Sequence, residues 1–257
     1  MNQKIKTAED VVLIREAGRR LAHVFDAVVE ATRPGISIQE LDALAEKLIR
    51  DGGDTPALLG YQPQGARRPF PATMCISLNE EVVHGIPNEE PHILKEGDLI
   101  SFDCVIIHEG RFADMARTVG VGTIDDDAKK LMKATQEALV AGIAAARGGA
   151  YIGDIGFAID AVAHRYGYGN VYELGGHGVG YAVHEEPYVM NIGEKGAGEQ
   201  LVPGMVLALE PMFTEGGERV KLLADGYTYV TRDGSRSAHF EHTIVITDGA
   251  PDILTIT

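Results

Sequence analysis

Only two cysteines occur in the 257 residues, Cys75 and Cys104, too few for a disulfide framework, so a reducing compartment is the simpler reading. Long apolar runs are missing as well. No charge-free stretch approaches the roughly 18 residues needed to cross a bilayer, and the N-terminal MNQKIKTAED has no apolar signal core. A cytoplasmic protein with no membrane partner is expected. Basic residues are scarce, 23 Lys and Arg against 38 Asp and Glu, and the formal net charge of −15 argues against non-specific binding to nucleic acid. No linker, low-complexity tract or long like-charge run divides the chain, so a single domain over residues 1–257 is expected. With 45% hydrophobic and 24% charged residues, the chain can bury a full core like an ordinary globular protein.

What is present in strength is a set of metal-ligand side chains on apolar segments. Asp103 lies in LISFDCVII, Asp114 in RFADMARTVGV, His177 in GGHGVGYAVHEEP, Glu210 in MVLALEPMF and Glu241 in SAHFEHTIVIT. Each segment reads as a strand. Isolated buried carboxylates cost several kcal/mol, so four of them on core strands imply neutralising divalent cations. One imidazole with four carboxylates carries too much negative charge for one ion but suits a pair sharing bridging oxygens. These residues predict a dinuclear hydrolase. Any one acidic residue alone would read as a solvated surface charge; only the combination is informative.

The chain also contains itself twice. RPGISIQELDALAEKLIRDGG, from Arg33, matches RGGAYIGDIGFAIDAVAHRYG, from Arg147, and helical patterns over residues 7–31 and 126–146 precede the two copies. EGDLISFD parallels PGMVLALE, which puts Asp103 and Glu210 at equivalent strand positions; Asp114 corresponds to Glu241. The repeat spans roughly residues 7–121 and 126–247 and predicts an α+β fold, with helices covering one face of a curved antiparallel sheet. Asp103 and Asp114 flank a turn near residues 107–110 and are expected across from each other in a hairpin. Residues 55–73, rich in proline and glycine, are expected to form a loop over the site.

The strings CISLNEEVVHGIP, ISFDCVIIHEGRFAD, GGHGVGYAVHEEP, LALEPMF and FEHTIVIT together resemble type I methionine aminopeptidases, of bacterial kind, from about Thr7 to the C-terminus. That resemblance implies the pita-bread fold, with two pseudo-symmetric halves. It implies that Asp103 chelates one metal ion, His177 and Glu210 the other, and that Asp114 and Glu241 bridge both. Mn, Fe, Co and Zn all accept such ligands. It places His84 beside the scissile amide and substrate N-terminus and His184 at the carbonyl or its oxyanion, with Glu210 or His84 relaying the proton to the leaving amine. The methionine pocket matches Leu58, Tyr61, Phe70, Cys75, Val183 and Tyr227. Three of these depart from the usual residues: a Cys is usual at Leu58, an aromatic at Val183, a Trp in many bacterial members at Tyr227. The loop at residues 62–69 is longer than in compact members. The implied substrates are nascent polypeptide and peptide N-termini with a small second residue, and the implied protein is a monomer that associates transiently with the ribosome.

Other polar residues read more plainly. His23, His92, His108 and His164 are expected on the surface or on helix faces; strand alternation turns His239 and His242 away from the ligand face. Glu185 or Glu186, beside His184, is a candidate for orienting a ligand. Gly175, Gly176, Gly178 and Gly180 let backbone approach the site; no strand-GxGxxG-helix context accompanies them, so no nucleotide is implied. Rival readings are a proline-directed peptidase of the same fold, such as prolidase or aminopeptidase P, and a non-catalytic pita-bread protein that binds peptides.

Overall fold

A computed structural model describes residues 4–89 and 92–257. Helices α1 (Ala8–Ala31) and α2 (Ile38–Asp51) come first, followed by β1 (Thr55–Pro56), β2 (Cys75–Leu78), β3 (Glu81–Val83), β4 (Leu99–His108) and β5 (Arg111–Gly120). Helices α3 (Asp126–Ala145) and α4 (Ile152–Tyr166) follow. After them come β6 (Gly169–Asn170), β7 (Gly175–Gly178), β8 (Glu185–Met190), β9 (Val206–Leu209) and β10 (Met212–Thr214). The last strands are β11 (Val220–Leu222), β12 (Tyr229–Thr231), β13 (Ser237–His239), β14 (Glu241–Val245) and β15 (Asp252–Ile253).

Local chemistry sets the helix starts. Thr7 and Asp10 form a reciprocal capping box at α1, and Ser37 and Glu40 form another at α2; each pair satisfies two backbone donors that the first turn leaves free. Along α1 the buried residues Ile14, Ala17, Leu21, Phe25 and Val28 recur at helical spacing, so one stripe faces the sheet.

Nine strands form an antiparallel sheet in the order β1-β4-β5-β14-β9-β7-β8, with β2 also on β4 and β15 also on β14. One core joins α1 and α2 to β4 and β5 through Phe102, Cys104, Ile106, Ala113 and Met115. A second joins α3 and α4 to β9 and β14 through Leu207, Leu209 and Ile244. Since neighbouring side chains on a strand point to opposite faces, Asp103, Val105 and Asp114 point away from the helices. Val105 accordingly belongs to a separate apolar cluster with Leu58, Phe70, Cys75, Val183 and Tyr227. The helices cover one face and the candidate site occupies the other.

Three expectations need correction. Asp103 and Asp114 are not directly opposed: Asp103 pairs with Ala116 and Val105 with Asp114, because the hairpin turns on Glu109 and Gly110 alone. Both turn residues have positive φ, 46° and 77°, as a type I′ hairpin turn requires. The carboxylates therefore meet on a diagonal of one face. Residues 55–73 are not wholly loop, since Thr55 and Pro56 pair with Ile107 and Ile106 at the sheet edge. Glu210 does not sit within a strand as Asp103 does; it occupies the break between β9 and β10.

Candidate metal centre and substrate cavity

Strand register brings the acidic residues together. Ala116 pairs with Asp103 on one side and with Glu241 on the other, so a small side chain separates two carboxylates in one row across β4, β5 and β14. Extending the β14 to β9 register one residue beyond His242 and Leu209 places Glu210 next in that row. His177 enters from β7, opposite Ala208, beside a register shift between His177 and Gly178 that re-aims the strand. The neighbouring glycines have a steric reason. A Cβ at Gly176 would lie 2.2 Å from the Ala208 carbonyl oxygen, and one at Gly178 would lie 2.5 Å from that of Glu186. Only glycine lets the strand carrying His177 approach both neighbours.

Ligand atoms of Asp114, His177 and Glu241 all lie within 4.8 Å of one another. Nε2 of His177 is 3.7 Å from Asp114 Oδ2 and 3.5 Å from Glu210 Oε1. The other ring nitrogen, Nδ1, is 2.9 Å from the Gly178 carbonyl. A carbonyl only accepts, so Nδ1 carries the proton and Nε2 presents a lone pair to the carboxylates. Asp103 stands outside the tightest group, with Cys75 as its cross-strand neighbour on β2.

This arrangement is unfavourable without a cation. Burial pushes the Asp103 carboxyl up to about 7, and burial together with the neighbouring carboxylates holds Asp114, Glu210 and Glu241 well above the usual range. Asp114 Oδ1 and Glu241 Oε1 are buried without a hydrogen-bond partner among the described residues. An orphaned polar atom of that kind costs about 1–3 kcal/mol, more when charged. Oxygen-rich carboxylates with one imidazole suit a divalent first-row metal ion, and the orphaned oxygens are acceptors that such an ion would satisfy.

The residues singled out from the sequence line a single cavity of about 100 Å³: Leu58, Tyr61, Phe70, Cys75, His84, Val183, His184 and Tyr227 surround the five candidate ligands. Pro63 and Val105 line it too. Val105 was legible, two residues after Asp103 on the same strand face; Pro63 carries no such signal. A broader groove of about 650 Å³ shares His84, His177, His184 and Glu210 and runs outward past Val83, Glu186 and Tyr188. The cavity is thus a small apolar recess beyond the acidic cluster, and the groove is its open side.

His84 has a φ of 60° although it is not glycine, and a left-handed conformation at such a residue costs on the order of 1–3 kcal/mol. The strained backbone aims the ring at the junction of recess and groove, and burial with the nearby His184 lowers its pKa to about 4. His184 sits at the rim, its ring 4.5 Å from that of His177, and desolvation lowers its pKa. Glu185 Oε1 accepts from the backbone of Ala182 at 3.0 Å and also from that of Tyr181, and its Oε2 binds Lys6 at 2.6 Å. Those bonds hold the turn that carries Val183 and His184.

Among the remaining histidines, His23, His92 and His164 are exposed as expected. His242 points to Thr255, with Nδ1 2.8 Å from its hydroxyl oxygen. His108 is not a surface residue: its Nδ1 lies 2.7 Å from Asp54, a partner too distant in sequence to foresee. His239 is not turned away either. The strand breaks at Phe240, alternation does not carry through, and His239 Nε2 comes within 3.8 Å of Glu210 Oε2.

Residues 12–248 match the model of metallopeptidase family M24. The chain is 43% identical over 253 residues to a methionine aminopeptidase of Treponema pallidum (strain Nichols), covering 98% of this chain and 96% of that protein. The chain belongs to metallopeptidase family M24, among its methionine aminopeptidases. The crystal structure of methionine aminopeptidase from Rickettsia prowazekii superposes with a TM-score of 0.93 at 37% identity, covering 98% of this M24 chain and 99% of that one. The architecture is therefore the pita-bread fold, α+β as expected. Prolidase from Pyrococcus furiosus matches at a TM-score of 0.77 with 23% identity and is covered over only 66% of its length, so it shares the fold alone.

Proposed function

We propose that this metallopeptidase removes N-terminal methionine from nascent polypeptides and peptides with a small second residue, using two divalent metal ions. The observation that carries the reading is the acidic cluster with its orphaned oxygens at the mouth of a recess of about 100 Å³. Such a recess admits one flexible apolar side chain, and methionine packs adaptably into irregular apolar space. The open groove takes the rest of the peptide. A recess closed on one side fits release of a single terminal residue.

In this reading Asp103 would hold one ion and His177 and Glu210 the other, with Asp114 and Glu241 serving both. Bound divalent ions would activate water at neutral pH and polarise the scissile carbonyl. His184, held by Tyr61 at 3.0 Å, donates toward the developing oxyanion from the rim. His84, kept neutral at physiological pH by its lowered pKa, stands beside the substrate's terminal amine and scissile amide. Glu210 or His84 returns the proton to the leaving amine. Tyr227 and Phe70 meet edge to face with ring centres 5.2 Å apart and, with Leu58, Tyr61, Cys75 and Val183, enclose the methionine side chain. The Tyr227 hydroxyl donates to the Arg68 carbonyl, so the long loop at residues 62–69 is tied to that wall.

We further read the chain as one catalytic domain built by duplication, acting as a cytoplasmic monomer that meets nascent chains at the ribosome. No described helix is long and apolar enough to cross a membrane. Mn, Fe, Co and Zn all suit this ligand set. The test is release of methionine from Met-Ala-Ser, against Xaa-Pro peptides, with and without added Co²⁺ or Mn²⁺. Metal-dependent cleavage of Met-Ala-Ser is expected; preferential cleavage of Xaa-Pro peptides would favour the prolidase reading.

A further inference from the structure

His239 is a buried imidazole without an evident purpose in packing. Its ring is 2% exposed, and neither ring nitrogen has a hydrogen-bond partner among the described residues. Other shielded histidines differ in this respect: His177 bonds Gly178, His242 bonds Thr255 and His108 bonds Asp54. The backbone of His239 is held firmly. Its N–H donates to Thr118 Oγ1 at 2.8 Å, and the same hydroxyl donates to its carbonyl at 2.8 Å. Thr118 has then spent its only proton, so Ser101, 2.7 Å away, must donate to it. Two strands thus fix where the ring sits, and the ring faces one carboxylate.

That carboxylate is Glu210, which lies between two imidazoles. Oε1 is 3.5 Å from His177 Nε2, and Oε2 is 3.8 Å from His239 Nε2. The second distance is too long for a hydrogen bond, but a movement of under about 1 Å would close it. A carboxylate whose far oxygen receives a hydrogen bond presents its near oxygen in a fixed direction. Outer partners of this kind orient metal-binding groups and set their affinity.

We propose that His239 is a positioning residue for Glu210: its Nε2–H donates to Oε2 and thereby holds Oε1 toward the cation shared with His177. The proposal rests on the two-ion reading above. His239 touches neither substrate nor metal and acts only through Glu210.

The test compares His239→Gln, whose amide nitrogen reaches about as far as Nε2, with His239→Leu, which keeps apolar bulk and loses the donor. Chelator-stripped proteins are titrated with Mn²⁺ by calorimetry, and kcat and KM for Met-Ala-Ser are measured on the loaded forms. His239→Leu is expected to weaken Mn²⁺ binding by about 10–100-fold and to lower kcat more than it changes KM, while His239→Gln stays within about threefold of the parent. Equal behaviour of the two variants, whether both impaired or both normal, would overturn the role. Should His239→Leu fail to fold, His239→Asn serves in its place, because its shorter amide keeps polarity but cannot reach Oε2; equality with His239→Gln would again overturn it. Absence of Mn²⁺ binding in the unaltered protein would overturn the metal reading itself, and this proposal with it.

Discussion

The Tyr61 hydroxyl lies 3.0 Å from Nδ1 of His184, so the loop over the cavity is joined directly to a histidine at its rim. If the phenol donates, Nδ1 is the acceptor and Nε2 carries the proton, the tautomer an oxyanion donor needs. Tyr61→Phe is then expected to lower kcat about tenfold with little change in KM. Replacing His184 itself, or His84, with Ala should cost on the order of 10²–10⁴ in kcat, as for a lost oxyanion donor or proton relay. Steady-state kinetics with metal analysis on each variant checks this; a large loss of bound metal in either histidine variant would make that residue a ligand.

Glu241 sits beside Ala116 in the same row as Asp103, buried and with an unpartnered oxygen. Glu241→Ala should abolish turnover and weaken Mn²⁺ binding while leaving the fold intact, because in the metal-free protein it removes a buried carboxylate that its neighbours disfavour. Calorimetry and thermal melting on the stripped protein measure both effects. Normal metal binding with full activity would remove Glu241 from the centre.

The acidic cluster also gives the metal-free protein a distinctive pH response. Asp103 is held at about 7 in the folded chain against an ordinary value of 3.8, and Asp114, Glu210 and Glu241 are raised as well. A raised folded pKa contributes stability that is full below the unfolded value and lost as pH rises through the folded one. The stripped protein should therefore melt at lower temperature as pH is raised from about 5 to 8. Saturating Mn²⁺ should reverse the slope, because the ion competes with protons for the same oxygens. Melting curves across that range, with and without metal, show the crossing or its absence.

The proposed function carries a preference for a small second residue, whose side chain would leave the recess into the groove lined by His84, His184 and Glu210. Met-Ala and Met-Gly starts should be cleaved well, and Met-Lys and Met-Phe starts poorly. A peptide series varied at that position decides, with fast cleavage of Met-Lys counting against the arrangement.

Much of this was legible in the sequence, for identifiable reasons. The helical pattern beginning at residue 7 ends up as α1 with Thr7 as its cap, because capping and apolar spacing are local properties. Asp103, Asp114 and Glu241 converge on one cavity because alternation along β4, β5 and β14 fixes their face, whereas Leu58, Tyr61, Phe70, His84, Val183, His184, Glu210 and Tyr227 lie outside strands and were legible only through the motifs that resemble the family. What escaped was set by register or by distant partners. The offset of Asp103 from Asp114 depends on a turn confined to Glu109 and Gly110, and a shift of one residue there changes every pairing. The break at Phe240 that returns His239 to Glu210, and the partnership of His108 with Asp54, leave no periodic trace.

In the proposed function the buried carboxylates around His177 form a metal centre that releases N-terminal methionine. Chelator-stripped protein titrated with Mn²⁺, with methionine release from Met-Ala-Ser followed on the same samples, tests it most directly. Release is expected to be negligible in the stripped protein and to rise with bound metal until two ions are held. Full release by the stripped protein, or saturation with metal and no release, would contradict it.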